Sequence, residues 1–215
     1  MGALFLFVLY TEEVKQPPPN LFIGIDEVGR GPLAGPVAVG VAMATPEVIR
    51  KFKQIKESKQ LSAKQREEWY AKISAPQSGV RFAVSFVSAP MIDKRGIAPS
   101  IRTALARGLK KLSPDPKRTR VLLDGGLYAP EEYIYQETII RGDAKETIIA
   151  IASVVAKVKR DRLMHRLHDA FPKYGFDMHV GYGTKKHVDA ILKYGITSEH
   201  RETFCTNILT KKSRK

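Results

Sequence analysis

The sequence has little cysteine, and its only strongly apolar segment near the N-terminus is short. A single cysteine, Cys205, excludes an internal disulfide and a zinc site built on several cysteines. The apolar segment 3–10 is far shorter than the roughly 20 residues that a membrane-spanning helix requires. No basic residue precedes this segment and no clear cleavage site follows it, so we expect no signal peptide and no membrane partner. These features predict a cytoplasmic protein.

Acidic residues are also few relative to basic ones. The 215 residues include 36 Lys and Arg against 22 Asp and Glu, which gives a formal net charge of +14. A positive surplus of this size favours a partner with a phosphate backbone, although a basic protein without such a partner remains an alternative. With 43% hydrophobic residues, the chain can bury a sizeable core, and its length suits one domain.

The pattern of apolar residues predicts one α/β domain with a helical C-terminal part. Strands are predicted at residues 21–25, 37–43, 80–86, 120–124 and 137–141, and the first two are expected to be antiparallel neighbours. Helices are predicted at residues 63–73, 97–112, 145–171 and 185–193, the first of them capped by Ser62 with Gln65. We expect an N-terminal extension at 1–19, a domain at 20–206 and a basic tail at 207–215.

Four acids stand at predicted strand ends or close to glycine-rich turns. Asp26 and Glu27 follow one apolar strand, Asp124 ends another, and Asp143 follows a third. If the four carboxylates converge, their mutual repulsion requires cations, and hard oxygen ligands suit Mg²⁺ or Mn²⁺. Two such ions roughly 4 Å apart can hold the attacking water and the leaving oxygen of a phosphodiester. The alternative is that each acid separately caps or solvates a turn.

Two glycine-flanked segments are candidates for substrate contacts. Gly29, Arg30 and Gly31 form a turn directly after the first acidic pair, where backbone groups can approach a sugar and the arginine can contact a phosphate. Tyr182 lies between two glycines, which leave its ring poorly covered and available for stacking. A merely flexible turn and a core tyrosine are the respective alternatives.

These motifs, in this order, resemble those of the ribonuclease HII family over residues 20–204. The segments that carry the resemblance read GIDEVGRGPLAGPV at 24–37, ESKQLS at 57–62, LLDG at 122–125, RGDAK at 141–145 and HVGYGT at 179–184. The resemblance implies a ribonuclease H-like three-layer fold with a mixed five-stranded sheet. It also implies that Mn²⁺ or Mg²⁺ binds to Asp26, Glu27, Asp124 and Asp143. Asp161 competes for the fourth position, but we expect it to pair with a neighbouring cation instead.

The resemblance further implies an endonuclease that hydrolyses the RNA strand of RNA–DNA hybrids and acts as a monomer. It would also cut 5′ of single ribonucleotides embedded in duplex DNA by two-metal catalysis, leaving 3′-OH and 5′-phosphate ends. The residues implied to bind this substrate are Gly29, Arg30, Gly31, Ser58, Lys59, Ser153, Lys157 and Tyr182. By the same resemblance, the glycine turn senses the 2′-OH, the tyrosine stacks on the following deoxyribose, and Ser153 with Lys157 holds a phosphate.

Departures from the family pattern occur beside Lys59, where Glu57 replaces an aspartate and Gln60 replaces a lysine. His179 and Arg201 are expected to be structural. Two alternatives remain. One is a catalytically inactive nucleic-acid-binding module. The other is a ribonuclease HIII-like enzyme, a family with an extra N-terminal domain for which the 19 upstream residues are too few.

Overall fold

A computed structural model describes residues 20–212, with side chains described up to residue 210; the extension expected at 1–19 lies outside the described residues. The domain is built on one sheet of five strands in the order β3-β2-β1-β4-β5. The strands are β1 (Leu21–Val28), β2 (Val37–Ala44), β3 (Arg81–Val87), β4 (Thr119–Asp124) and β5 (Gln136–Ile139). β1 is antiparallel to β2 and parallel to β4, so the sheet is mixed, as predicted.

Helices cover both faces of the sheet and form the C-terminal part. They are α1 (Pro46–Lys51), α2 (Ala63–Ser74), α3 (Ala89–Arg95), α4 (Ile97–Leu112), α5 (Gly142–Lys145), α6 (Thr147–Ala170), α7 (Phe176–His179), α8 (Lys185–Tyr194) and α9 (Glu202–Lys212). The capping box predicted at Ser62 and Gln65 is present at the start of α2. No helix in the described range 20–212 is long and apolar enough to cross a membrane.

The core lies in two layers, one on each face of the sheet. On one face, Ile25 of β1 and Val41 of β2 pack with Leu105 and Leu109 of the amphipathic helix α4. On the other face, the long helix α6 packs against the same two strands through an almost continuous apolar segment, 148–156, that is interrupted by the polar Ser153. This is the three-layer arrangement implied by the resemblance.

Two glycines let α6 approach the sheet closely. A Cβ at Gly24 of β1 would clash with the backbone of Ile148, and a Cβ at Gly40 of β2 would clash with the backbone of Ala152. Gly40 is also the partner of Asp26 across the two strands. The helix backbone therefore lies directly over the strand that carries Asp26, which brings Ser153 to the acid.

Several predicted boundaries need correction. β1 continues to Val28, so Asp26 and Glu27 lie within the strand, paired with Gly40 and Val39, and not after its end. The strand predicted at 137–141 ends at Ile139, because the backbone of Arg141 turns to a positive φ of 57°. The helix predicted at 145–171 is found as α6, Thr147–Ala170, and the short α5 directly before it was not predicted.

The last helix, α9, has no counterpart among the predicted elements, and it continues beyond residue 206. The predicted boundary between the domain and the basic tail therefore falls inside this helix. Residues 207–212 are helical, and only 213–215 lie beyond the described residues at this end.

Candidate active site

The parallel strands of the sheet bring the acids to one edge. Asp26 and Glu27 lie near the end of β1, and Asp124 is the final residue of the adjacent parallel strand β4. Asp143 lies in the first turn of α5, directly after β5, which is parallel to β4. Because parallel strands end at the same edge, the four carboxyl groups face a common region.

Asp124 is fixed by the chain that carries Asp143. One of its carboxylate oxygens accepts hydrogen bonds from the backbone N–H of Gly142 at 2.6 Å and of Asp143 at 3.4 Å. A Cβ at Gly142 would press on Ile149 and on this carboxylate, so glycine is required for the approach. These contacts set the position of Asp143 relative to β4.

Asp26 is a buried acid, with 6% of its surface exposed. Burial raises the pKa of its carboxyl group to about 8, and the negative charges of Glu27, Asp124 and Asp143 contribute to this rise. A hydrogen bond from the Ser153 hydroxyl opposes the shift. The raised pKa indicates that four negative charges at this edge are unfavourable without a cation nearby.

Glu27 and Asp143 have raised pKa values for the same main reason. Burial raises the pKa of Glu27, and a hydrogen bond from Arg30 at 3.2 Å opposes the shift. Burial also raises the pKa of Asp143, the charge of Asp124 adds to it, and Lys59, 4.0 Å away, opposes it. A hydrogen bond with the side chain of Glu57 raises the pKa of Asp143 further.

The donor set suits a hard divalent cation. All candidate ligands are carboxylate oxygens, which Mg²⁺ and Mn²⁺ prefer, and the raised pKa values of Asp26, Glu27 and Asp143 indicate that added positive charge would be accepted. Within residues 20–210, no three His, Cys, Asp or Glu side chains already form a closed metal-ligating group. The chemistry of these carboxylate ligands therefore fits the cation.

Two serines predicted to contact substrate lie beneath the acids. Ser58 and Ser153 are buried, and their hydroxyl groups are 2.8 Å apart. Since Ser153 also bonds to Asp26, the pair links the loop before α2 to the buried acid. The guanidinium group of Arg66, a residue without a marked sequence signal, donates to the carbonyl oxygens of Ser58 and Leu61 and fixes the same loop.

Lys59 and Lys157 occupy different environments. Lys59 is largely exposed, with its side chain directed toward Asp143. Lys157 forms an ion pair with Asp161 at 2.8 Å, and Arg66 lies 3.8 Å from the same carboxylate. Asp161 therefore has cationic partners of its own, as expected, and one of these is Lys157.

A basic groove of about 510 Å³ runs between α2, α6 and α7. Its lining includes Lys64, Arg66, Lys157, Arg162 and His165, together with Glu67, Asp161 and Asp177. Arg66 of this lining also fixes the loop that carries Ser58.

The glycine turn (residues 29–31) and the tyrosine loop (residues 180–184) are joined. The backbone N–H of Leu33 donates to the carbonyl oxygen of Gly181 at 2.8 Å. Tyr182 follows directly and is 42% exposed, which differs from a core tyrosine. A Cβ at Gly31 would meet open space, whereas Gly29 has a φ of 86° and no room for a side chain. Gly31 therefore leaves open space at the surface of the turn, whereas Gly29 permits the positive φ and leaves room for Arg160.

Buried histidines support the tyrosine loop. His179 Nε2 bonds to the carbonyl oxygen of Tyr174 at 2.8 Å, which agrees with its predicted structural role. His187 Nδ1 bonds to the carbonyl oxygen of Tyr182, and its Nε2 lies 3.1 Å from Nε2 of His200. No sequence pattern predicts that the last two meet, since they lie on separate elements.

Cys205 is buried and not paired in a disulfide, and burial raises the pKa of its thiol to about 11. A thiol in this state is a poor nucleophile.

Comparison with known proteins gives consistent results. The model of the family "Ribonuclease HII" matches residues 23–207. Ribonuclease HII of Geobacillus kaustophilus is 40% identical over 195 residues, which cover 91% of this chain and 72% of that protein. Ribonuclease HII of Bacillus anthracis is 41% identical over 196 residues, with 91% and 73% covered.

Solved structures share the fold. Ribonuclease H2 from Pyrococcus horikoshii OT3 superposes with a TM-score of 0.71 at 24% identity, covering 91% of this chain and 100% of that one. Bst-RNase HIII in complex with Mn²⁺ superposes with a TM-score of 0.67 at 18% identity, covering 92% and 72%. The predicted ribonuclease H-like fold is confirmed. The chain belongs to the ribonuclease HII family, whose members are endoribonucleases that act on RNA–DNA hybrids.

Proposed function

We propose that this chain cuts duplex DNA on the 5′ side of a single embedded ribonucleotide, as well as the RNA strand of RNA–DNA hybrids. The observation that carries the proposal is the position of the glycine turn. It follows the acidic pair of β1 after one residue, its Gly31 is open to solvent, and it is bonded to the loop of the exposed Tyr182. A sugar held at this turn would place its phosphate beside the acids.

The proposed metal ligands are Asp26, Glu27, Asp124 and Asp143, with Mg²⁺ or Mn²⁺ as the cation. The structural relative Bst-RNase HIII, which shares the fold, is known in complex with Mn²⁺ and supports this choice. Two bound divalent ions would supply a water of lowered pKa and neutralise the charge that develops on the phosphate. No side-chain nucleophile is then required, in keeping with the unreactive Cys205.

The protein's own residues would bind and orient the substrate. Lys59, Lys157 and Arg30 are proposed to contact phosphates, and Tyr182 to stack on the deoxyribose that follows the ribonucleotide. For Ser58 and Ser153, we propose that they orient Asp26 from below, because their hydroxyl groups are buried. The 2′-OH, which alone distinguishes RNA from DNA at one nucleotide, would lie against the backbone at Gly29–Arg30–Gly31.

Three duplexes of one sequence test the proposal: all-deoxy, one ribonucleotide in one strand, and a full RNA strand on DNA. With Mg²⁺ or Mn²⁺, we expect a single cut 5′ of the lone ribonucleotide, leaving a 3′-OH and a 5′-phosphate, and no cut in the all-deoxy duplex. Cleavage that requires a run of ribonucleotides would favour the ribonuclease HIII-like alternative. Binding without cleavage under both metals would favour the inactive binding module.

We propose that the chain acts in the cytoplasm, where bacterial DNA lies, and that it acts as a monomer. Sedimentation of the free protein and of its complex with the single-ribonucleotide duplex tests the second point, since a two-to-one protein-to-duplex complex would contradict it.

A further inference from the structure

Two arginines, Arg160 of α6 and Arg201 just before α9, are fully buried. Among the residues whose side chains the structure describes, neither forms an ion pair with a carboxylate. Burial lowers the pKa of both, and the nearby charge of Arg160 helps to lower the pKa of Arg201 to about 10. A buried charge without an anionic partner is costly, so the contacts that these groups do make need a reason.

Arg201 holds the glycine turn from beneath. Its guanidinium group donates to the carbonyl oxygens of Gly29 at 2.6 Å, Arg30 at 2.8 Å and Gly35 at 2.9 Å. One planar group therefore fixes both ends of the segment 29–35, which a point-like ammonium group could not span.

These contacts also set the direction of the N–H groups of the turn. A trans peptide is planar, so its C=O and N–H point in opposite directions. With the carbonyl oxygens of Gly29 and Arg30 directed at Arg201, the N–H groups of Arg30 and Gly31 point away from it. Neither N–H has a hydrogen-bond partner within the described chain, and Gly31 faces open space. Two adjacent donors are thus presented outward.

Arg160 connects the same segment to the tyrosine loop. Its guanidinium group donates to the carbonyl oxygens of Pro36 at 2.9 Å and of Ala34 at 3.3 Å, and also to Val180 at 2.9 Å, two residues before Tyr182. The side chain fills the space that a Cβ at Gly29 would need. Arg160 therefore adds to the backbone hydrogen bonds, such as that from Leu33 to Gly181, that hold the turn and the loop together.

We propose that Arg160 and Arg201 are positioning residues that lock the glycine turn and the tyrosine loop into one rigid unit and aim the N–H groups of Arg30 and Gly31 at the substrate sugar. The inference rests on the proposed function, since it assumes a ribonucleotide at the turn. It makes the discrimination between ribose and deoxyribose depend on two buried residues that lie behind the turn.

The test is a binding measurement on Arg201→Lys. Lysine keeps the positive charge, but its compact ammonium group cannot span the three carbonyl oxygens that the guanidinium group reaches. Asp124→Asn is introduced to prevent cleavage, and affinities are measured with Mg²⁺ for the single-ribonucleotide and all-deoxy duplexes. We expect the Asp124→Asn parent to bind the single-ribonucleotide duplex more tightly than the all-deoxy duplex; the ratio of the two affinities is its preference. Adding Arg201→Lys should reduce this preference by about tenfold, which corresponds to the loss of one charged hydrogen bond. Affinity for the all-deoxy duplex should stay within about twofold, because the contacts to phosphates remain.

Arg81→Lys is the matched control. Arg81 also donates to a backbone carbonyl oxygen, that of Leu112 at 3.0 Å, but it lies at the start of β3, on the outer strand of the sheet farthest from β5. This variant should keep the parent's preference. Arg160→Lys should lower the preference as Arg201→Lys does, since both hold the same segment.

The outcomes separate this inference from the proposed function. If the unaltered enzyme does not cut the single-ribonucleotide duplex, the proposed function fails. If it does, and folded Arg201→Lys and Arg160→Lys keep the full preference, only the positioning role is overturned. If the variants do not fold, amide hydrogen exchange of Arg30 and Gly31 is measured in the parent instead. Protection of the Arg30 and Gly31 amides by the ribonucleotide duplex but not by the all-deoxy duplex supports the inference, and equal protection overturns it.

Discussion

The side chain of Ser153 on α6 lies beside the carboxyl group of Asp26 on β1, and this contact lowers the pKa of that carboxyl group. This contact crosses from the helical layer to the sheet, and it exists because glycines at 24 and 40 let the helix backbone lie directly on the strands. It stabilises the charged form of an acid whose pKa is otherwise raised by burial. The pKa of Asp26 therefore depends on the balance between burial and this contact.

Asp124→Asn should abolish cleavage and preserve the fold. Asparagine keeps an oxygen that can accept from the backbone N–H of Gly142, but it loses the charge that attracts a cation. We expect cleavage to fall by about a thousandfold or more, since metal-held charge contributes several kcal/mol. Rates on the single-ribonucleotide duplex and affinity for a hybrid are the measurements. Activity within about tenfold of the unaltered enzyme would contradict the assignment of Asp124.

Asp26→Asn should stabilise the protein when divalent metal is removed. The folded-state pKa of Asp26, about 8, lies above its ordinary value of 3.8, so the folded state binds the proton more tightly than the unfolded state. The contribution to stability is therefore fully present below pH 3.8 and is lost as the pH rises through 8. The variant avoids this loss, and its advantage should grow between pH 4 and 8, to roughly 6 kcal/mol at most, since each pKa unit corresponds to about 1.4 kcal/mol.

Urea unfolding in a chelator at several pH values measures this advantage. Adding Mn²⁺ should then reverse the order at about pH 8, because the cation binds the folded unaltered protein but not the variant. Equal stability of the two proteins at all pH values, with and without metal, would show that burying the charge of Asp26 costs nothing.

Tyr182→Ala should reduce cleavage of the single-ribonucleotide duplex roughly tenfold to hundredfold. Base or sugar stacking on an aromatic ring contributes about 1–3 kcal/mol in nucleic-acid complexes. Tyr194→Ala is a matched control, since Tyr194 is 44% exposed against 42% for Tyr182 and lies at the end of α8. Steady-state rates for both variants test the role; similar losses in both would indicate a general effect on stability.

The two glycines of the turn should respond differently to substitution. Gly31→Val should leave the free energy of unfolding almost unchanged, because a side chain there meets open space, but should reduce cleavage more than Tyr182→Ala by filling the site of the sugar. Gly29→Val should destabilise the fold by a few kcal/mol, about the cost of forcing a positive φ on a β-branched residue and displacing Arg160. Thermal unfolding and cleavage rates together distinguish the two cases.

The buried histidines should make the protein sensitive to acid. Burial lowers the pKa of His187 and of His200 to about 4, from an ordinary value of 6.5. Both are neutral in the fold, so their contribution to stability is present above pH 6.5 and is lost as the pH falls toward 4. His187→Asn should flatten the fall in unfolding free energy between pH 6.5 and 4, and an unchanged slope in urea unfolding would contradict this origin.

By itself, the sequence determined the elements and the identity of the acids. Alternating and helical apolar patterns predicted the strands and most helices, with α4 found at its predicted bounds, because these patterns are local. Asp26, Glu27, Asp124 and Asp143 stood out for the same reason, each beside a glycine turn and an apolar strand. The family followed from the order of these motifs along the chain.

The residues that support the acids and the turn follow from the packing of segments that are distant in the sequence. The resemblance implies that Ser153 and Lys157 together hold a phosphate, and the structure adds that Ser153 lies under Asp26, a neighbour that is set by the packing of α6 on the sheet. Arg201 is expected from the sequence to be structural, but the partners of Arg160 and Arg201 could not be predicted, because each donates to carbonyl oxygens of a segment that is distant in the sequence. A contact between a side chain and a distant backbone group leaves no pattern in the sequence, and for that reason the fold alone revealed these contacts.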